Sequence, residues 1–293
     1  MPSLKDIKLK IGGIKKTQQI TKAMNMVAAA KLRGAQEKME DFRPYADKFA
    51  TVMGQLGGSV NPEAFPLMAV RPVNNILLIV VTADRGLCGA FNANIINAAQ
   101  KFARTQTEEG KKVSFVCIGK KGYQNFRKTD YEVVEHITDC MAAIQMQDAR
   151  KMGQVAINNF LQEKVDQVQL LYGRFINVVT QRPTFKQLLP ISKEGLGGEE
   201  GVESGPGATY IYEPEPEQIL NQLMPMYVNV QIMAAMLETA ASEQAARMTA
   251  MDNATRACED MLHSLTLSYN KARQAAITKE LMDIVGGAEA LKG

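Results

Sequence analysis

Three stretches of this 293-residue chain hold residue types that could do chemistry. The first, "DRGLCGAFN" at residues 84–92, follows an apolar run and precedes a helical pattern, as a phosphate-binding loop would. It matches neither G-x-G-x-x-G nor a P-loop ending in Gly-Lys-Ser/Thr. Gly86 and Gly89 are therefore read as permitting a tight turn, with Asp84 and Asn92 bracing it. The second stretch places His136 and Cys140 at i, i+4, and the third puts Cys258 shortly before His263. Neither pair has a further ligand nearby, and a zinc site needs three or four. No Ser-His-Asp or Cys-His set can be assembled. The reading is no catalytic residue, no metal and no cofactor. Cys88, Cys117, Cys140 and Cys258 lie far apart without a Cys-x-x-Cys, so they are expected as reduced thiols.

The elements that would position these groups are unusual. From Leu4 the apolar stripe runs Ile7, Ile11, Ile14, then the polar Gln18, Thr21 and Asn25, then Ala28, Leu32, Ala35, Met39, Phe42, Ala46, Phe49, Met53 and Leu56. That strict 3-4 alternation is a coiled-coil seam, too narrow for a globular core face. Ser3 and Asp6 give a capping signal. Pro44 should kink the helix, and Gly57-Gly58 with Pro62 should stop it. A second seam runs through Leu223, Met226, Val230, Met233, Leu237 and Ala240. Gln244 and Arg247 interrupt it, and Met251, Ala254, Cys258, Met261, Leu265, Ala272 and Ala275 resume it, with Gly286-Gly287 as its end. "EPEPEQ" opens this helix, with Pro216 suited to its first turn.

Between the helices the pattern changes. "NNILLIVVTAD" and "KKVSFVCIG" read as buried parallel strands, residues 133–137 as a third, and "DQVQLLYGRF" with "TFKQLLPIS" as paired neighbours. Helices are expected at about residues 90–107, near Tyr123 and at 141–164. Residues 193–208 hold six glycines and read as a loop, and "YIYEP" as an edge strand. The fold class is α/β with long helices: an antiparallel coiled coil of the N- and C-terminal helices plus a Rossmann-like α/β middle domain. The domains are residues 1–58, the N-terminal coiled-coil helix; 72–213, the α/β foot; and 214–287, the C-terminal helix pairing with 1–58. With Leu56 level with residue 216, Asn25 falls level with Arg247, and Gln18 and Thr21 near Ala254 and Met251. Coinciding polar breaks would fix the register, because a slip leaves them unsatisfied; a loosely packed, wet region is the equal alternative.

Charge narrows the function classes. The net charge is +3, with 46% hydrophobic and 22% charged residues, so composition signals neither nucleic acid nor lipid. Residues 1–34 hold seven Lys and one Arg against one acid, while residues 215–286 hold nine acids against five bases. Such halves suit partner helices. No apolar run reaches the roughly 18 residues that would span a bilayer.

"LKDIKLKIGGIKKTQQITKAMNMVAAAKL", "TADRGLCGAFN" and "YNKARQAAITKELMDIVGGAEAL" together resemble the γ subunit of the F-type ATP synthase, in order and over the whole chain. The resemblance implies a rotor stalk without an active site of its own. Its coiled coil would penetrate a ring of three alpha and three beta subunits. Its foot would rest on the epsilon subunit and the membrane c-ring, and ion flow would drive it to turn. It implies that Arg273 and Gln274 contact a beta-subunit catch loop, against the competing reading of a solvated helix face. It also places Lys22 and Met24 in the neck, and Ile277, Leu281 and Ile284 on an apolar bearing surface. With no presequence visible, it implies the cytoplasmic face of a bacterial inner membrane. Two other classes stand beside it: an α/β enzyme using a coiled coil to oligomerise, and a nucleic-acid-binding coiled coil. The first lacks a fingerprint and the second a recognition motif.

Overall fold

The computed structural model describes residues 3–58, 65–192 and 215–290. Helix α1 spans Leu4–Gly58. A reciprocal cap opens it: Ser3 donates from its backbone N–H and its hydroxyl to the Asp6 carboxylate at 3.1 and 2.8 Å, and the Asp6 N–H donates to Ser3 Oγ at 3.2 Å. These bonds satisfy donors that no helical carbonyl reaches, and they hold the Asp6 carboxyl below its ordinary value. The helix continues through Pro44. All sixteen seam residues predicted between Leu4 and Leu56 are buried or half-buried.

Five strands follow: β1 (Asn75–Val81), β2 (Lys112–Ile118), β3 (Glu132–Ile137), β4 (Gln167–Phe175) and β5 (Gln181–Leu189). Helices α2 (Phe91–Glu108), α3 (Lys120–Phe126) and α4 (Met146–Leu161) alternate with them. The sheet order is β3-β2-β1-β4-β5. The first four strands are parallel, and β5 closes the sheet antiparallel to β4. The central strand reads NILLIVV, with six consecutive buried residues, because both sheet faces are covered. Pro183 is tolerated in β5, which pairs on one side only. The third predicted helix is shorter than expected, starting at Met146 rather than at 141. Predicted loop 193–208 and the "YIYEP" strand lie outside the described residues.

The chain divides into two compact units, residues 1–28 with 248–293, and residues 29–247. In the second unit alternate strand residues feed two cores. Ile76, Leu78, Val80, Phe115 and Leu171 pack with Phe91, Ile95 and Ala99 of α2 and Phe126 of α3. Leu77, Ile79, Val116, Ile118 and Leu170 pack with α4 residues, with Met53 and Leu56 of α1, and with Leu220, Met224, Tyr227, Val228, Ile232, Ala235 and Met236. Those last seven belong to the final helix, α5 (Pro216–Ala290).

Two expectations for α5 need correcting. Over residues 216–247 it is no narrow-seam helix: it buries a wide face because it packs on the sheet, and Met226 of the predicted seam is 42% exposed. The helix also runs through Gly286 and Gly287 to Ala290, since glycine in a helix costs about 1 kcal/mol and does not forbid it.

Gly119, between β2 and α3, has φ +96°, and an added Cβ would collide with the Thr82 backbone carbonyl. Backbone cannot yield as a side-chain tip can. Gly119→Ala is expected to lower stability by about 2–3 kcal/mol, read as a reduced urea midpoint; a midpoint within error of wild type would contradict this packing.

Candidate functional site: the coiled coil and its exposed end

In the unit formed by residues 1–28 and 248–293, the polar seam residues bond across the pair. The Asn25 Nδ2 donates to the Met248 carbonyl oxygen at 3.0 Å. The Thr21 and Thr255 hydroxyls share a hydrogen bond of 2.8 Å, and Gln18 Nε2 donates to Glu259 Oε1 at 3.1 Å. As one residue number rises its partner falls, so the helices are antiparallel. The Asn25 level lies within one residue of the predicted one, whereas Thr21 and Gln18 meet residues about a turn further along. Ala28, the next seam position of this unit, is buried at 1% exposure.

The resumed seam of α5 departs from the prediction at two of its seven positions, Met261 and Ala275, which are exposed. Met251, Cys258, Leu265 and Ala272 are buried or half-buried as expected, but Met261 is 55% exposed and Leu262 takes its turn. Thr255 and Ala276, rather than Ala254 and Ala275, complete the 3-4 alternation; Ala254 is still half-buried. Neighbouring apolar pairs such as Met261 and Leu262 fit either phase, so spacing alone could not choose. Asn25→Ala removes a cross-helix bond and is expected to cost about 1 kcal/mol. Denaturant titration of the full-length chain checks it, and an unshifted midpoint would contradict it.

Arg273 and Gln274 are exposed and adjacent on α5. Every residue from 277 to 288 is exposed, including Ile277 (49%), Leu281 (57%) and Ile284 (67%). Extrapolating the Gln18–Glu259 level, Leu4 stands opposite about residue 273, so α5 outruns the described part of α1 by about 25 Å at 1.5 Å per residue. On α1, Lys22 is exposed but Met24 is only half-buried. The outward apolar residues there are Ile20, Met26 and Val27, each more than half exposed. Sequence reasoning passed over these three; their position off the seam is the signal that could have found them.

In the other unit, loop 84–92 is braced as its residues suggested. The Asp84 carboxylate accepts from the backbone N–H groups of Lys120, Asp139 and Met141 at 2.8–2.9 Å. Asn92 Oδ1 accepts from the Ala83 N–H at 3.0 Å, and its Nδ2 donates to the Arg85 carbonyl oxygen at 3.3 Å. Gly89 has φ +56°. Arg247, expected as a seam break, reaches this loop instead. It also pairs with Glu243 at 2.5 Å. Burial raises the Glu243 carboxyl, and Arg247's charge and hydrogen bond work against that rise.

His136 stacks on Tyr123 with ring centroids 3.7 Å apart. All four cysteines are free and buried, and burial pushes Cys117 and Cys140 up to about 12. No described helix is long and apolar enough to cross a membrane.

These features define a class: an α/β protein with long helices whose antiparallel coiled coil ends in an exposed apolar surface that calls for a cover. The ATP synthase family model matches residues 3–291. The ATP synthase gamma chain of Desulfotalea psychrophila is 56% identical over 292 residues, covering 100% of each chain. That of Nitratidesulfovibrio vulgaris is 52% identical over 294 residues, again covering 100% of each. Among solved structures, the central stalk and c-ring of the Tetrahymena thermophila mitochondrial ATP synthase includes a chain with a TM-score of 0.63 and 27% identity. It covers 80% of this chain and 99% of that one. A chain of the Euglena gracilis enzyme has a TM-score of 0.67 at 22% identity, covering 98% and 94%, which speaks to the fold. The chain belongs to the ATP synthase gamma chain family. It is a non-catalytic subunit and a peripheral component of that membrane complex.

Proposed function

We propose that the chain turns as the rotor of its synthase, coupling ion flow through the membrane sector to ATP synthesis or hydrolysis at sites on other subunits. Residues 1–58 and 214–287 form the axle and residues 72–213 the foot. The observation that carries this reading is the exposed apolar end of α5 at residues 277–288. Left in water, that surface would be a liability. Enclosed by a ring of alpha and beta subunits it is a bearing, because apolar contact is non-directional and resists turning little. Ile277, Leu281 and Ile284 supply this surface. Arg273 and Gln274 supply directional contacts, since Arg grips a carboxylate bidentately and Gln both donates and accepts. Lys22 and Met24 face the ring from α1. The foot rests on the epsilon subunit and the c-ring, at the cytoplasmic face of a bacterial inner membrane.

Affinity capture of a tagged copy from native membranes tests the assembly. Alpha, beta, epsilon and c subunits in fixed proportion support it; recovery of the chain without alpha and beta would remove it. The enzyme reading would require tight stoichiometric nucleotide binding by the full-length chain alone.

A further inference from the structure

Loop 84–92 is held from within the α/β layer by Asp84 and Asn92, and from α5 by Arg247. The Arg247 Nη2 and Nε donate to the Gly86 carbonyl oxygen at 3.1 and 3.4 Å. The Nη1 donates to Gln244 Oε1 at 2.9 Å, and Nη2 also donates to Glu243 Oε1. Arg247 is 8% exposed and Glu243 4%, so the pair is sealed from water. A planar fork is needed to serve a carbonyl, an amide and a carboxylate together; a lysine ammonium, a compact point donor, cannot span them.

The gripped carbonyl lies in the middle of the loop. The next residue, Leu87, is 63% exposed with φ +62°, a left-handed conformation that a branched side chain adopts only when its surroundings impose it. After it, Cys88 is buried at 2% exposure, with Asn92 Nδ2 3.1 Å from its Sγ. The loop thus shows one residue to solvent and hides the next, and the α5 attachment falls beside the switch.

We propose that Arg247 is a positioning residue for energy coupling: its guanidinium, oriented by Glu243, pins loop 84–92 to α5 so that the loop and the helix move as one body. This rests on the rotor reading above. A loop free to shift on α5 would absorb displacement that should pass along the helix, so hydrolysis would continue while coupled work fell.

Arg247→Lys and Glu243→Gln test it, since both keep a polar group of similar size. One readout is the rate at which a maleimide alkylates Cys88 in the full-length chain, followed on the Cys88 peptide by mass spectrometry. The other is the ratio of ATP synthesis to ATP hydrolysis in membrane vesicles carrying each variant. In Arg247→Lys, Cys88 is expected to react about tenfold faster, matching loss of one charge-assisted hydrogen bond. The synthesis-to-hydrolysis ratio is expected to fall about threefold while hydrolysis persists. Glu243→Gln should move both readouts the same way by less. Unchanged Cys88 reactivity would show that Arg247 does not hold the loop. Faster alkylation with an unchanged ratio would show a bond that is merely structural. Either result overturns the proposal, whereas wild-type vesicles that hydrolyse ATP but cannot synthesise it would overturn the rotor reading beneath it.

Discussion

Arg247→Met is expected to destabilise the unit of residues 29–247 by about 3–5 kcal/mol, the range for removing one partner of a buried ion pair. The thioether fills much of the volume but leaves the Glu243 carboxylate buried at 4% exposure without its cation. It also strips the Gly86 carbonyl of its donors. The effect depends on pH with a definite sign. Glu243 is raised above the ordinary value of 4.5, chiefly by burial, and Arg247 opposes that rise. Without Arg247 the folded-state value climbs further, so the folded chain binds a proton more tightly than the unfolded chain does. Stability in the variant is therefore greatest below 4.5 and falls as pH rises through the raised value. Urea titrations of wild type and variant at several pH values read this directly. A deficit that is constant with pH, or that grows on acidification, would contradict the assignment.

Arg273→Ala with Gln274→Ala should do the reverse: a large effect on function and almost none on the fold. Both side chains are exposed, and exposed substitutions away from special features usually stay within about 0.5 kcal/mol. If the pair grips a carboxylate in the surrounding ring, its loss removes a charge-assisted contact worth about 1.5–3 kcal/mol, or roughly tenfold to a hundredfold in coupled turnover. ATP synthesis in membrane vesicles, measured beside the thermal midpoint of the purified chain, separates the two effects. Synthesis at the wild-type rate would return both residues to the class of solvated helix surface.

Much of this was legible because the elements are periodic. The α1 seam is read correctly at every position from Leu4 to Leu56, since one narrow stripe is buried along the helix, and its polar members Gln18, Thr21 and Asn25 bond across to α5. The continuous apolar run of β1 announces a strand covered on both faces. Legibility falls where two surfaces compete for one helix. Over residues 216–247, α5 meets both α1 and the sheet, so the side chains that count (Tyr227, Val228, Ile232, Met236) lie off the heptad. The same competition hid the role of Arg247. A heptad template marks it as a break, yet its bonds run to Glu243 and a loop 161 residues earlier in the chain. No local pattern encodes that distance. The proposed contact role of Arg273 and Gln274 came only through resemblance, because an exposed polar pair on a helix carries no intrinsic sign of a partner.

The central claim is that this chain turns within a ring of other subunits. Its most direct test is single-molecule observation of the complex of alpha and beta subunits with this chain. The ring is fixed to a surface, and a visible probe is attached through a cysteine introduced at exposed Arg182 of β5. On addition of ATP the account predicts continuous stepping of the probe in one direction, stopping when the α5 tip is crosslinked to a beta subunit. A probe that stays still, or merely jitters, while the same ring hydrolyses ATP would contradict it.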